Sequence, residues 1–196
     1  MNPQLTNEAE VNNLIKNLEY RTSMLRRIKN FTNITIRKKL ANAVILGKLN
    51  YMLPTYSITE VQRQKIHTTL MKAARATIGL PCYRWSTQRI LETVGWIPVK
   101  AMIEKAQLKV IHNIIITKQP KMLYTQLKIP ERKTKAITVK YNPSKEKFKK
   151  FFLTSATELY NKLPTLMKNL DQQKFKKAVT KKYQKEYLTT KKEKKK

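Results

Sequence analysis

Residues 59–81 read TEVQRQKIHTTLMKAARATIGLP, and this stretch decides the fold class. Thr59 followed three residues later by Gln62 fits a capping box, in which hydroxyl and amide satisfy orphan backbone donors reciprocally. Ile66, Leu70, Ala73, Ala74 and Ile78 then recur at helical spacing, and Gly79 with Pro81 supplies the stop. Only three glycines, Gly47, Gly79 and Gly95, occur in 196 residues, which leaves little material for hairpin turns. Helices joined by proline-containing connections are the expectation.

Working outward, a first helix is expected from Asn7 to Phe31, with Val11, Leu14, Ile15, Leu18, Leu25 and Ile28 inward. A second is expected from Thr35, with Ile36, Leu40, Ala43, Val44 and Tyr51 inward, stopping before Pro54 because a residue preceding proline resists helical geometry. Ser86 caps a short helix that ends at Gly95, and Pro98 opens a longer one reaching Thr117. From Gln119 to Lys147 the periodicity weakens; Ala136–Tyr141 alternates like an extended arm or edge strand. Helical spacing returns with Phe148, Phe151, Phe152, Ala156, Leu159 and Leu163 up to Pro164, then with Phe175, Val179 and Tyr183 in a last helix from Asp171. The expected organisation is mainly α: a helical domain over 1–118, a basic proline-punctuated arm over 119–147, a helical pair over 148–188 and a disordered lysine tail over 189–196.

Charge sets the function class. The formal net charge is +30, from 42 basic and 12 acidic residues, and Asp171 is the sole aspartate. Residues 1–117 carry 18 basic against 6 acidic side chains; residues 118–196 carry 24 against 6. Eight of the nine arginines fall in the first part, and the second is almost purely lysine. Lysine suits diffuse contact with phosphates more than bidentate base reading. Two-metal polymerase or nuclease chemistry needs converging carboxylates, and the sequence has no Asp-Asp or Asp-x-Asp pair. No catalytic residue, metal ligand or cofactor is therefore expected.

His67 and His112 lack an Asp or Cys at plausible local spacing and read as structural or surface residues. Cys82 is alone, so no disulfide is expected, and it reads as a packed thiol. The absence of a signal peptide in Met1–Glu10 gives an intracellular expectation, nuclear or cytoplasmic and not secreted. Membrane binding is disfavoured, because the basic helices carry no exposed apolar stripe rich in Trp or Phe.

The candidate partner is nucleic acid, whether RNA, DNA or a hybrid. Arg21, Arg26 and Arg27 form one cluster and Arg37, Lys38 and Lys39 another, with acidic compensation at i,i+4 nearly absent. Arg84 and Arg89 flank Trp85 in the loop Tyr83–Thr87, where an aromatic beside an arginine could stack on an unpaired base. Trp85 and Trp96 themselves read better as caps on the core. Lys145, Lys147, Lys149 and Lys150, with Lys176 and Lys177 and their neighbours Lys174, Lys181 and Lys182, read as a collective phosphate-binding set.

Five segments in order resemble the region C-terminal to the catalytic palm in reverse transcriptases of non-LTR (LINE-type, jockey/CR1-like) retrotransposons. They are Arg21-Thr-Ser-Met-Leu-Arg-Arg-Ile28, Lys48-Leu-Asn-Tyr-Met-Leu-Pro54, Arg75-Ala-Thr-Ile-Gly-Leu-Pro81, Val94-Gly-Trp-Ile-Pro98 and Tyr160-Asn-Lys-Leu-Pro164, the last followed by Phe175-Lys-Lys177. The family's usual residue at position 160 is tryptophan, and the terminal Cys/His knuckle of some lineages has no counterpart. Fingers, palm with paired aspartates, and endonuclease are likewise without counterpart in residues 1–196. The resemblance implies a thumb-like bundle that holds template and primer, a basic C-terminal segment that engages RNA or target DNA, and the catalytic part of a reverse transcriptase as a partner. Two other expectations stand beside it: an independent basic protein that docks an acidic partner, and a non-functional relic.

Overall fold

The computed structural model describes residues 8–54, 58–79, 84–129, 139–141 and 152–188, and these are mainly helical. The helices are α1 (Glu8–Arg27), α2 (Ile34–Ala41), α3 (Gly47–Met52), α4 (Glu60–Ile78), α5 (Thr87–Val94), α6 (Val99–Thr117), α7 (Lys121–Thr125), α8 (Phe152–Asn161), α9 (Thr165–Lys168) and α10 (Gln172–Leu188). A 3-10 turn, Ile28–Asn30, follows α1, and a π-turn, Asn42–Leu46, joins α2 to α3. Strands β1 (Leu127–Lys128) and β2 (Lys140–Tyr141) pair antiparallel, Leu127 opposite Tyr141 and Lys128 opposite Lys140. The chain forms two compact units, Met1–Met102 with Lys185–Lys196, and Ile103–Gln184, a division that falls inside α6 rather than at residue 118.

In the first unit α4 is central and packs against α1, α2 and α5. Its start is the expected capping box: the Gln62 N–H donates to the Thr59 hydroxyl at 3.3 Å, and the Thr59 N–H donates to Gln62 Oε1 at 3.0 Å. Ile66, Leu70, Ala73, Ala74 and Ile78 are all buried. The short side chains of Ala73 and Ala74 let neighbouring helices approach closely. Val11, Leu14, Leu18 and Leu25 bring the core face of α1, and Ile90, Leu91, Val94 and Trp96 close it from α5 and beyond. Ser86 caps α5 through the Arg89 N–H, and Gly95 ends it with φ +76°. The Trp96 indole N–H donates to Asn42 Oδ1 at 2.7 Å, so this tryptophan caps the core as its position suggests.

The segment α2–π–α3 differs from expectation. Arg37, Ala41, Ile45, Leu49 and Leu53 are buried. Ile36, Leu40, Ala43 and Tyr51, expected inward, are exposed, Tyr51 at 81%, and Val44 is only half-buried. The expected set follows the mixed three- and four-residue spacing of an α-helix, whereas the buried set recurs strictly every four residues. A four-residue repeat drifts by about 40° per step around an ideal α-helix. The wider π-turn takes back part of that drift and keeps residues 37 to 53 on one face.

The choice of face is made by Arg37, 7% exposed. Its Nε donates to the Thr77 carbonyl at 2.9 Å and its Nη2 to the Ile78 carbonyl at 3.1 Å. Its Nη1 donates to the Lys29 carbonyl at 2.7 Å and also to that of Thr32. One guanidinium thus satisfies carbonyls left over at the C-terminal end of α4 and in the turn before α2, with its charge at the negative end of the α4 dipole. Gly79 follows with φ +75°, and a Cβ there would lie 2.8 Å from Arg37 Nη2. Gly79→Ala therefore combines left-handed backbone strain with displacement of Arg37, and a loss of about 2 kcal/mol is expected in urea denaturation.

The second unit has its own core. Leu108, Ile111 and Ile114 of α6 are buried, as are Phe152, Leu153, Ala156, Tyr160 and Leu163 in and just after α8, and Phe175, Val179 and Tyr183 of α10. Val139, also buried, is held by Asn161: its N–H donates to Asn161 Oδ1 at 2.9 Å and its carbonyl accepts from Asn161 Nδ2 at 2.8 Å. That pair ties the residue before β2 to the end of α8. The arm's expected extension over Ala136–Tyr141 is observed at 140–141, and 136–138 lie outside the described residues, as do Phe148, Phe151 and 189–196. Asp171 starts α10 by accepting the Lys174 N–H at 2.8 Å.

Candidate nucleic-acid interface

In the first unit the basic residues gather around the turn that Arg37 organises. Arg26 and Arg27 occupy the last turn of α1, and Lys38 and Lys39 the last turn of α2. Arg26, Arg27 and Lys39 are exposed and Lys38 is half-exposed. The C-terminal end of α1 is a negative dipole end, which favours Arg26 and Arg27 there, whereas Lys38 and Lys39 lie where α2 runs on into the π-turn and gain no such help. Among the described residues the ion pairs Lys72–Glu19 and Arg63–Glu60 lie on α1 and α4, and neither involves these four. They project into solvent without a carboxylate to neutralise them.

Arg37 does not belong to this set. As a phosphate contact it is corrected to a buried structural residue: all three of its nitrogens are committed to backbone carbonyls. A phosphate could reach it only by dismantling the turn. Arg21 is intermediate. Its Nη1 donates to the Val44 carbonyl at 2.7 Å, which ties α1 to the π-turn and spends part of the guanidinium on structure.

Arg84 is exposed at the start of the turn before α5. The Arg89 guanidinium lies over the Trp85 ring at 4.4 Å from its centroid, a cation–π contact that fixes both side chains at the surface. Trp85 is thus half-exposed and stacked on Arg89 rather than capping the core. Tyr83 and Cys82 lie outside the described residues.

In the second unit Lys176 and Lys177 are exposed on α10, together with Lys174, Lys181 and Lys182. Lys145, Lys147, Lys149 and Lys150 lie outside the described residues. Sequence reading overlooked Lys105 and Lys109, half-buried on α6 one turn apart. Burial and the neighbouring Lys109 push Lys105 down to about 8, and burial and Lys176 lower Lys109. The i,i+4 repetition of two lysines with no acid between them was the available signal. It was masked by the apolar character of the rest of α6.

The histidines divide. His67 is half-buried on α4 and burial lowers its pKa. His112 is 1% exposed. Its ring stacks on Phe175 with centroids 3.7 Å apart and planes 10° apart. Nε2 lies 3.0 Å from the Leu170 carbonyl, which can only accept, so Nε2 carries the proton. Nδ1 is then the acceptor for the Tyr160 hydroxyl at 3.3 Å. Burial pushes Tyr160 up to about 12. Lys168, buried beside this network, donates to the Asn161 carbonyl at 3.1 Å, with its Nζ 5.6 Å from the Tyr160 ring centre. The motif Tyr160-Asn-Lys-Leu-Pro164 is therefore structural: an aromatic for the core, a clamp for Val139, a buried Leu163 and a proline that opens α9.

No protein-family model, curated protein or solved structure matches the chain. Among the described residues no helix is long and apolar enough to cross a membrane.

Proposed function

We propose that the chain is a nucleic-acid-binding module that grips an RNA/DNA primer-template, related to the thumb and post-thumb region of a non-LTR retrotransposon reverse transcriptase and without catalytic activity of its own. The observation that carries this reading is the set Arg26, Arg27, Lys38 and Lys39, gathered at one turn and unpaired with any described carboxylate. Such a set neutralises phosphates and releases counterions, which gives an affinity that falls steeply with salt. The five ordered segments add the polymerase relationship, and the lack of paired aspartates leaves the chemistry to a separate catalytic part.

The test is binding to a labelled RNA/DNA primer-template, with duplex DNA and heparin as competitors at two salt concentrations. Any protein of charge +30 binds polyanions at low salt, so only hybrid preference that survives heparin and higher salt supports a shaped grip. Reversing Arg26, Arg27, Lys38 and Lys39 to Glu, with Arg37 left intact, is expected to weaken hybrid binding by a factor on the order of 100 or more. Unchanged affinity removes this face from the reading. One observation favours an acidic protein as the partner instead: Phe31, in the turn between Arg27 and Lys38, is 87% exposed. Loss of hybrid preference together with capture of an acidic amphipathic peptide supports that alternative.

A further inference from the structure

Three side-chain links set α6 and α10 antiparallel within the second unit. The Tyr183 hydroxyl donates to Glu104 Oε2 at 3.1 Å, His112 stacks on Phe175, and the Gln172 amide donates to Asn113 Oδ1. Each step up α6 is matched by a step down α10. That register sets Lys109 level with Ala178, and Lys176, two residues away along α10, lies near enough for its charge to act on Lys109. Lys105 lies one turn below Lys109 on the same side of α6. Lys105 and Lys109 are half-buried and Lys176 is exposed at the rim. None of the three forms an ion pair with a carboxylate among the described residues; Glu104, beside Lys105 on α6, accepts from Tyr183. Three like charges held together and partly out of water are unfavourable unless an anion completes the site.

We infer that Lys105, Lys109 and Lys176 form a seat for one backbone phosphate of the bound nucleic acid, between α6 and α10. The inference rests on the proposed nucleic-acid binding and adds a defined contact in the second unit. Each ammonium offers three donors on a flexible stem, which fits the oxygens of a phosphodiester without demanding one geometry. A second consequence concerns protons. Burial first, and Lys109 second, hold Lys105 near 8 in the free protein, and a phosphate in the seat raises it by supplying the negative charge that favours the ammonium. Above pH 8 the free protein has lost the Lys105 proton and must take it up on binding, so affinity falls as pH rises from 7 to 9. The titratable groups beside Lys105 are Glu104 and Lys109 on α6 and, level with it on α10, Lys182 and Tyr183, with Lys176 acting on Lys109. From α8, Tyr160 is engaged by His112, and Ser155 meets Gln107.

The experiment uses the full chain and the labelled primer-template, titrated against salt at pH 7 and pH 9. Wild-type affinity is expected to fall about tenfold over that interval if a single lysine returns to an ordinary value on binding. Lys105→Arg, whose guanidinium stays charged, is expected to keep its pH 7 affinity and lose that dependence. Lys105→Ala/Lys109→Ala, checked for folding by circular dichroism, is expected to bind more weakly and to flatten the log–log salt slope by about 2. A Lys105→Arg variant that tracks wild type between pH 7 and 9, or a double variant with an unchanged slope, overturns the seat. Calorimetry with inorganic phosphate forms a second arm. If the double variant loses inorganic phosphate yet keeps its oligonucleotide affinity, the seat serves a free anion and the inference fails. Wild-type protein that does not hold the hybrid against heparin overturns the proposed function as well, which an unchanged double variant alone does not.

Discussion

Replacing Arg37 by alanine is expected to destabilise the protein by about 3–5 kcal/mol, the range for removing one partner from a buried charged network. The magnitude follows from what is left behind. The carbonyls of Thr77, Ile78, Lys29 and Thr32 lose a shared donor, and two of them close the helix on which the first unit is built. A lowering of the melting temperature by roughly 10 °C or more follows for a domain of this size. Arg37→Lys is expected to recover little, because one ammonium cannot reach carbonyls arranged around a planar fork. Arg26→Ala, eleven residues away and exposed, is expected to stay within about 0.5 kcal/mol of wild type. Urea denaturation of the three variants decides the matter: an Arg37→Ala protein within 1 kcal/mol of wild type would show that the fork is dispensable. A binding defect in any Arg37 variant is a folding defect first.

The second large effect is expected at His112. Alanine there removes the ring stacked on Phe175, empties part of the core and leaves the Tyr160 hydroxyl and Leu170 carbonyl without partners. A cost of about 3 kcal/mol at neutral pH is in keeping with a buried aromatic truncation. The residue also gives stability a pH dependence of known sign. Burial holds the folded pKa below the ordinary histidine value; the Leu170 carbonyl and Asp171 pull the other way but less strongly. Between the unfolded value of about 6.5 and the depressed folded one, the unfolded chain binds the extra proton. The contribution is therefore fully present above pH 6.5 or so and is lost as pH falls below it. Denaturation midpoints at pH 7.5 and pH 5 should separate further in wild type than in His112→Ala. Equal separation in the two proteins would assign the dependence elsewhere, with His67, shifted in the same direction, as the next residue to change.

The helices were legible where the ends carry chemistry. Thr59 with Gln62, Ser86, Gly79, Gly95 and Pro98 fix α4, α5 and the start of α6 at the positions read from them. These signals are local, so they can be read without knowing the tertiary contacts. The inward face of α2–α3 was not legible, because it is chosen by a charged residue. Reading Ile36, Leu40, Ala43, Val44 and Tyr51 as inward follows from treating Arg37 as a solvent residue. Only the arrival of the Thr77 and Ile78 carbonyls, forty residues away, makes its burial favourable. The candidate interface was legible as a composition and only partly as a site. Arg26, Arg27, Lys38 and Lys39 could be named from their runs, whereas Lys105 and Lys109 needed the α6–α10 register to acquire a third charge. Asn161 was quoted as part of a motif, but its hold on Val139 depends on a contact 22 residues away in sequence.

The π-turn has a meaning for how this chain can change length. Buried residues fall at 37, 41, 45, 49 and 53 because Asn42–Leu46 holds one more residue than an α-helical turn. Removing Ala43 would leave the same side chains spaced by four, three, four and four, the cadence of an uninterrupted α-helix. The core would scarcely register the loss. The turn that presents the Val44 carbonyl to Arg21 would go with Ala43, and Arg21 would lose its hold on α1's neighbour. In most buried helices a one-residue deletion scrambles every contact downstream. Here the segment exists in effect in two readable lengths, with the longer one trading helical regularity for a bolt to the helix beside it.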